Sequence, residues 1–361
     1  MSYFCHCYIM RIFQCANCFH PVYFDNVLCQ KCGSSLGFSL ENYTLITLSN
    51  QNGQFTDLFN SNIRYTYCAN KQHDACNWLV PTDSGSTFCS ACHLNRLIPD
   101  IHDQNKMTLW RELEKMKRRL VYALYRFGLP LKSKADDPES GLCFEFLSDE
   151  PIVDKKERVL TGHANGVITI NIAEADSVHR ENARSQMGES YRSLIGHFRH
   201  EVGHYYWDRL IYSDPSLLSE FRALFGDERA DYGEALKKHY AEGPANGWES
   251  IYVSAYAAAH PWEDWAETWA HYLHFMGTLE TAYSFGLSTS PLIKNDDSLR
   301  AIADFDPYLE MNFKRIASTY IPLTLAINSL NRSMGQPDLY PFVVPAPAME
   351  KLAFIHRVLH P

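Results

Sequence analysis

No stretch of the 361 residues approaches the roughly 18 consecutive apolar residues that a membrane-spanning helix requires, so a transmembrane role is not expected. The opening Met1-Ser2-Tyr3-Phe4-Cys5-His6-Cys7 lacks the basic-then-apolar order of a secretion signal, which makes the cytoplasm the expected location. There is no glycine-rich phosphate loop, and no internal repeat beyond two groups of cysteines. Cysteine is almost missing from the later part of the chain: ten of the eleven lie before residue 93, and Cys143 stands alone after that. What is present is an ordinary globular composition, 46 % apolar and 21 % charged, in a chain long enough for two or three domains.

In a reducing cytosol, clustered Cys-x-x-Cys pairs indicate metal sites rather than disulfides. Cys15-Ala-Asn-Cys18 and Cys29-Gln-Lys-Cys32-Gly33 have the spacing of a four-cysteine zinc ribbon, with Gly33 permitting a tight turn after the second pair. So short a segment cannot build an apolar core without the metal. Cys68, Cys76, Cys89 and Cys92 form a second set, less regular in its first gap, for a second structural zinc. His73 and His93 are spare ligands that four cysteines make unnecessary. Residues 1–9, with Cys5 and Cys7, fit neither set and are expected to be a disordered leader or a misplaced start.

Charge is uneven. Residues 1–135 carry 14 Lys/Arg against 9 Asp/Glu, leaving 19 against 33 for residues 136–361. A basic N-terminal part can signal nucleic acid. Eight zinc-bound thiolates, however, carry four more charges than two Zn²⁺ ions neutralise, which brings that part close to zero. Nucleic acid is not an expected partner.

The spacing of Leu109, Leu113, Met116, Leu120, Leu124 and Phe127 predicts a helix over 105–127, closed by Gly128-Leu129-Pro130. Its run Lys115-Met116-Lys117-Arg118-Arg119 is expected to be a solvated face. Lys132 to Gly141 reads as a loop. Cys143–Leu147 and Val167–Ile172 alternate as strands, and Arg184 to Tyr212 reads as mainly helical.

That helix carries Arg199-His200-Glu201-Val202-Gly203-His204. Two histidines four residues apart project from one face and can share a zinc ion, with Glu201 in reach of a water on the open side. His197 and Asp208 lie on the same polar stripe. A third ligand is required. A distant His in H-E-x-x-H-x-x-G-x-x-H is excluded, because Trp207 and Leu210 occupy those two places. A later helix opening at His260-Pro261-Trp262-Glu263-Asp264-Trp265-Ala266-Glu267 supplies a carboxylate instead, with Pro261 suited to its first turn. Glu263 is the chosen ligand and Glu267, one turn on, orients a zinc-bound His; the two roles could be exchanged, and Asp264 is a weaker candidate. His271 and His274 continue along that side as supporting or substrate-facing groups. His163, His179, His239 and His356 are expected to be ordinary surface or hydrogen-bonded histidines.

With these residues in place, the whole chain resembles the bacterial zinc-binding metallopeptidases that carry an N-terminal zinc-ribbon domain. The matching stretches are Gly196–Trp207, Phe225-Gly226-Asp227-Glu228-Arg229, His260–Glu267 and Asp338-Leu339-Tyr340-Pro341-Phe342. The resemblance implies an α+β fold: zinc-ribbon modules over 10–100, then a mainly helical, gluzincin-like domain with a small β-sheet over 101–361. It supplies no substrate. The 58 residues between His204 and Glu263 are a long spacer for such a core, read here as including a helical insertion over 226–240.

The expected activity is hydrolysis of a peptide or protein substrate by a zinc-activated water, with Glu201 as general base. The strand near Ile168–Ile172 could pair with an extended substrate, and Tyr205, Tyr206, His271 or another Tyr could donate to the developing oxyanion. The rival is a non-catalytic adaptor whose zinc ribbons bind a protein partner.

Overall fold

In the computed structural model, which describes residues 12–51, 54–149, 159, 161–187 and 193–361, the chain begins with short strands tied by cysteine turns. Residues 1–9 lie outside the described residues. Strands β1 (Ile12–Gln14) and β2 (Pro21–Tyr23) pair as a hairpin around Cys15 and Cys18. Each Cys-x-x-Cys turn closes with the same backbone bond: Phe19 N donates to Cys15 O, Gly33 N to Cys29 O, and His93 N to Cys89 O, at 2.8–2.9 Å. Gly33 sits at φ +73°, a region that a Cβ makes costly.

Between the two cysteine sets lies a five-stranded antiparallel sheet that the sequence reading did not foresee. Its strands β3 (Leu36–Ser39), β4 (Thr44–Gln51), β5 (Gln54–Asp57), β6 (Arg64–Tyr67) and β7 (Leu79–Pro81) run in chain order. Phe38 N donates to Asn77 O at 3.0 Å, so the first strand returns beside the last.

Strand β8 (Asn95–Leu97) follows Cys92 directly and pairs parallel with β9 (Cys143–Leu147). Two further strands, β10 (Gly162–Ala164) and β11 (Val167–Asn171), complete a sheet of order β10-β11-β9-β8, with β10 antiparallel at the edge. Helix α1 (Gln104–Arg126) connects β8 to β9. Asp103 caps it by accepting from the backbone N–H of Asn105 and Lys106, and Leu113, Leu120, Val121 and Leu124 are fully buried.

The basic run on α1 is not a solvated face. Lys117 has no exposed side-chain surface and Arg118 only 5 %. Lys117 donates to Glu114 at 2.9 Å and to Asn95, while Arg118 donates to Ala75 O and lies 3.5 Å from Asp25. Cys92 Sγ is 3.7 Å from Glu114 Oε2. Burial works against the Arg118 charge, yet Cys76, Asp25, Glu114 and Cys92 together hold the guanidinium above its usual pKa. The run faces the second cysteine set, whose thiolates are the countercharge that linear spacing does not reveal.

The rest is helical: α2 (Ser177–Met187), α3 (Leu194–Tyr206), α4 (Pro215–Phe225), α5 (Tyr232–Glu242) and α6 (Pro261–Phe285), then a two-stranded ribbon, β12 (Ser288–Thr289) with β13 (Ala301–Ile302), and finally α7 (Phe313–Ser333) and α8 (Ala346–Leu359). The stretch 184–212, expected to be mainly helical, carries the end of α2, all of α3 and a π-helical turn. Ser193 is extended (φ −123°, ψ 147°), and its hydroxyl caps α3 by accepting from Gly196 N. At its other end α3 widens into a π-helical turn, Trp207–Ile211. The fold is α+β, strand-rich first and mostly helical afterwards, and one apolar cluster runs from Phe13 to Leu359. No helix among the described residues is long and apolar enough to cross a membrane.

The crossing of α3 and α6 sets the site. A Cβ on Gly203 would lie 3.2 Å from Ala266 Cα and 3.1 Å from Trp269, and Trp265 Nε1 donates to Gly203 O at 2.9 Å. Gly203 therefore lets the two backbones approach closely. Gly203→Val is expected to force them apart, lowering stability by about 1–3 kcal/mol or more in a denaturant titration.

Candidate metal centre

His200 and His204 stand one turn apart on the buried face of α3, their Nε2 atoms 3.2 Å apart. Across the crossing, the first turn of α6 presents Glu263. Pro261 preorganises that turn, and His260 caps it by accepting from Trp262 N. Glu263 Oε2 is 3.0 Å from His200 Nε2 and 3.6 Å from His204 Nε2. These three ligand atoms lie within 4.8 Å of one another. Glu263 is 1 % exposed, and its Oε2 has no hydrogen-bond partner despite the two close nitrogens.

One turn further along α6, Glu267 Oε1 lies 2.7 Å from His200 Nδ1, and Ser254 Oγ donates to its other oxygen at 2.6 Å. With the Nδ1 proton directed to Glu267, the Nε2 lone pair of His200 faces Glu263 and His204. Burial opposes charge on His200, but the adjacent Glu263 and Glu267 carboxylates raise its pKa well above the usual value. An oxygen with no donor and two convergent imidazole nitrogens suit a zinc ion. His204 Nδ1 has no partner either; the Trp262 ring packs 4.4 Å from this imidazole.

Glu201 is 9 % exposed, and nothing among the described residues donates to its carboxylate. Tyr232 OH donates to Glu263 Oε1 at 2.5 Å. Burial, then the Glu263 charge, pushes that phenol above its ordinary pKa, so it stays a donor.

Other sequence candidates fall elsewhere. Asp208 is exposed in the π-helical turn and hydrogen-bonds to neither imidazole. His197 Nδ1 lies 3.2 Å from Glu174, and His274 Nδ1 accepts from Arg199 at 2.6 Å. His271 shares a 2.5 Å hydrogen bond with Tyr340 OH in the core. Asp264 is fully buried and pairs with Lys351 at 2.6 Å. Val167–Asn171 is an inner strand; the sheet edge is β10.

Two residues that the sequence reading passed over, Ser254 and Tyr232, complete the site, with His163 beside it. His163, on β10, is hydrogen-bonded and half-buried. Its ring is parallel to that of His204 at 6.3 Å, its Nε2 accepts from Gly166 N, and burial lowers its pKa to about 3. The turn Asn165-Gly166 was the available signal, since a histidine two residues before a hairpin turn is at a strand edge.

Both cysteine sets also converge. Cys15, Cys18, Cys29 and Cys32 have sulfurs within 4.8 Å of one another, as do the fully buried Cys68, Cys76, Cys89 and Cys92. His93 is turned to Asp136 at 2.9 Å.

Glu267→Gln is expected to weaken zinc at the histidine site about 10- to 100-fold in a chelator competition, leaving the cysteine-bound zinc untouched.

Two imidazoles from α3 and a carboxylate from α6 form a cluster that could hold a metal ion, as could each of the two four-cysteine sets. The chain belongs to the family described as "Putative zinc-binding metallo-peptidase", whose model matches residues 106–358, and residues 12–103 match a zinc-ribbon domain. It is similar to uncharacterized proteins of Mycobacterium bovis and Mycobacterium tuberculosis, 43 % identical over 350 residues that cover 97 % of this chain and 95 % of each relative. No solved structure matches the chain.

Proposed function

We propose that this protein is a zinc-dependent peptidase in which His200, His204 and Glu263 hold the ion and Glu201 is the general base. The observation that carries this reading is the donorless Glu263 Oε2 facing two imidazole Nε2 atoms, beside a Glu201 carboxylate that no described residue engages. Zinc at such a site supplies a Lewis acid that makes a water molecule acidic near neutral pH and polarises a carbonyl. Glu201 accepts the proton of the attacking water and delivers it to the leaving amine. Glu267, braced by Ser254, keeps His200 in the tautomer that binds metal. Strand β10, bonded on one side only, offers its free edge to an extended substrate. The two four-cysteine sets each hold a structural zinc. The cytoplasm is the proposed setting, where thiols stay reduced.

The test is metal analysis of native protein together with a peptide library read by mass spectrometry. Cleavage that a chelator abolishes and zinc restores, with three zinc ions per chain, supports the peptidase. Two zinc ions and no cleavage favour the adaptor, in which the ribbons bind a protein partner and the histidine site does no chemistry.

A further inference from the structure

Addition of water to a peptide carbonyl leaves negative charge on the carbonyl oxygen, and a hydrogen-bond donor must meet it. Several groups that could serve are committed elsewhere. Tyr205 OH donates to Ser140 O at 2.9 Å, Tyr206 OH to Pro130 O at 3.1 Å, and His271 is bonded to Tyr340. Tyr232 differs. Its hydroxyl is 2.5 Å from Glu263 Oε1, the oxygen turned away from the imidazoles, so it lies one carboxylate width from the metal position. It is also 37 % exposed, on the solvent side of the site.

The element carrying it is lightly anchored. Helix α5 has no buried side chain. It ends at Gly243 with φ +78°, backbone that other residues resist. Besides the Tyr232 hydroxyl and a hydrogen bond between Tyr240 and Tyr256, ring contacts hold it: Tyr232 on His260 and Trp262, and His239 on Tyr256 at 5.8 Å. Meanwhile the side chains of His200, His204 and Glu263 are only 12 %, 6 % and 1 % exposed. An extended peptide reaches them only if an element at the site moves, and α5 buries no side chain that would resist this.

We infer that Tyr232 is a catalytic residue, brought over the site by α5 to donate its hydroxyl hydrogen bond to the substrate's carbonyl oxygen as that oxygen becomes an alkoxide. This rests on the peptidase reading above. The water oxygen bonds to the carbonyl carbon, the carbonyl π pair moves onto oxygen, and the water proton passes to Glu201. The Tyr232 O–H turns from Glu263 Oε1 to the new alkoxide without giving up its proton. When the C–N bond breaks, the amine takes the proton from Glu201 and Tyr232 returns to Glu263.

Tyr232→Phe, His163→Asn and Glu201→Gln are compared with wild type on the library peptide that wild type cleaves best. Tyr232→Phe is expected to lower kcat about 10²- to 10³-fold with KM little changed and zinc content intact. By calorimetry it should bind a phosphinic analogue of that peptide, a tetrahedral anion, more weakly by a similar factor. The uncleaved peptide should bind Glu201→Gln equally with and without Tyr232→Phe. Zinc loss in Tyr232→Phe, or equal weakening of peptide and analogue, would mean that Tyr232 only positions Glu263 and overturns the proposal. A kcat loss confined to His163→Asn overturns it in favour of that imidazole. If wild type cleaves and Tyr232→Phe cleaves as well, the Tyr232 assignment alone fails; if wild type cleaves no peptide, the peptidase reading fails with it.

Discussion

Glu201→Gln is expected to reduce peptide hydrolysis roughly 10²- to 10⁴-fold, the span that a lost general base removes, while the histidine site keeps its zinc. The substitution replaces one carboxylate oxygen by an amide of the same shape, so packing on α3 is unchanged. Glu201 accepts no hydrogen bond from any described residue, so its loss leaves no protein donor stranded. The effect is therefore confined to proton transfer. Measuring kcat, KM and zinc content on the same preparation separates this from a folding defect. Full activity in the variant would remove Glu201 from the mechanism.

Disrupting the second cysteine set is expected to unfold the catalytic half as well as the ribbon. In Cys76→Ser with Cys89→Ser, two of four buried sulfurs lose their thiolate, and the metal with them. Binding of a structural zinc is on the order of 10–16 kcal/mol, comparable to the whole stability of a domain. The damage would not stay local. Lys117 and Arg118 are buried against this set, and removing the partner of a buried charge costs about 3–5 kcal/mol. Strand β8, which follows Cys92 immediately, belongs to the same sheet as β10. Thermal unfolding should shift by tens of degrees or lose its cooperativity, and limited proteolysis should reach α1. The matching pair Cys18→Ser and Cys32→Ser, in a set where Cys32 is exposed, should instead fray residues 12–35 and spare the histidine site. Equal effects from both pairs would refute the asymmetry.

Several parts of this arrangement were legible in the sequence because the chemistry repeats at a fixed helical step. His200 with His204, and Glu263 with Glu267, are each one turn apart, and the geometry brings all four together. The cysteine sets were legible because knuckle spacing is rigid. Tyr232, Ser254 and His163 were not, because each reaches the site from a helix, loop or strand edge whose placement depends on tertiary packing rather than period. Lys117 and Arg118 misled for a related reason. A charge run on a helix is normally solvated, and although Glu114 pairs with Lys117 from the same helix, the Cys76, Cys92 and Asp25 that face Arg118 lie on distant stretches of the chain. The five-stranded sheet was missed because its strands are mostly four residues or fewer, too short for alternation to register.

The buried pair between Asp264 and Lys351 has a consequence for when the candidate site is assembled. Asp264 adjoins Glu263 in the opening turn of α6, its carboxyl lifted to about 7 by burial against the pull of Lys351. Phe354 packs on Trp265 from the same late helix. A nascent chain thus holds His200, His204 and Glu263 long before it holds Lys351, which braces the turn that carries Glu263. The cluster is fully braced only once α8 has been made.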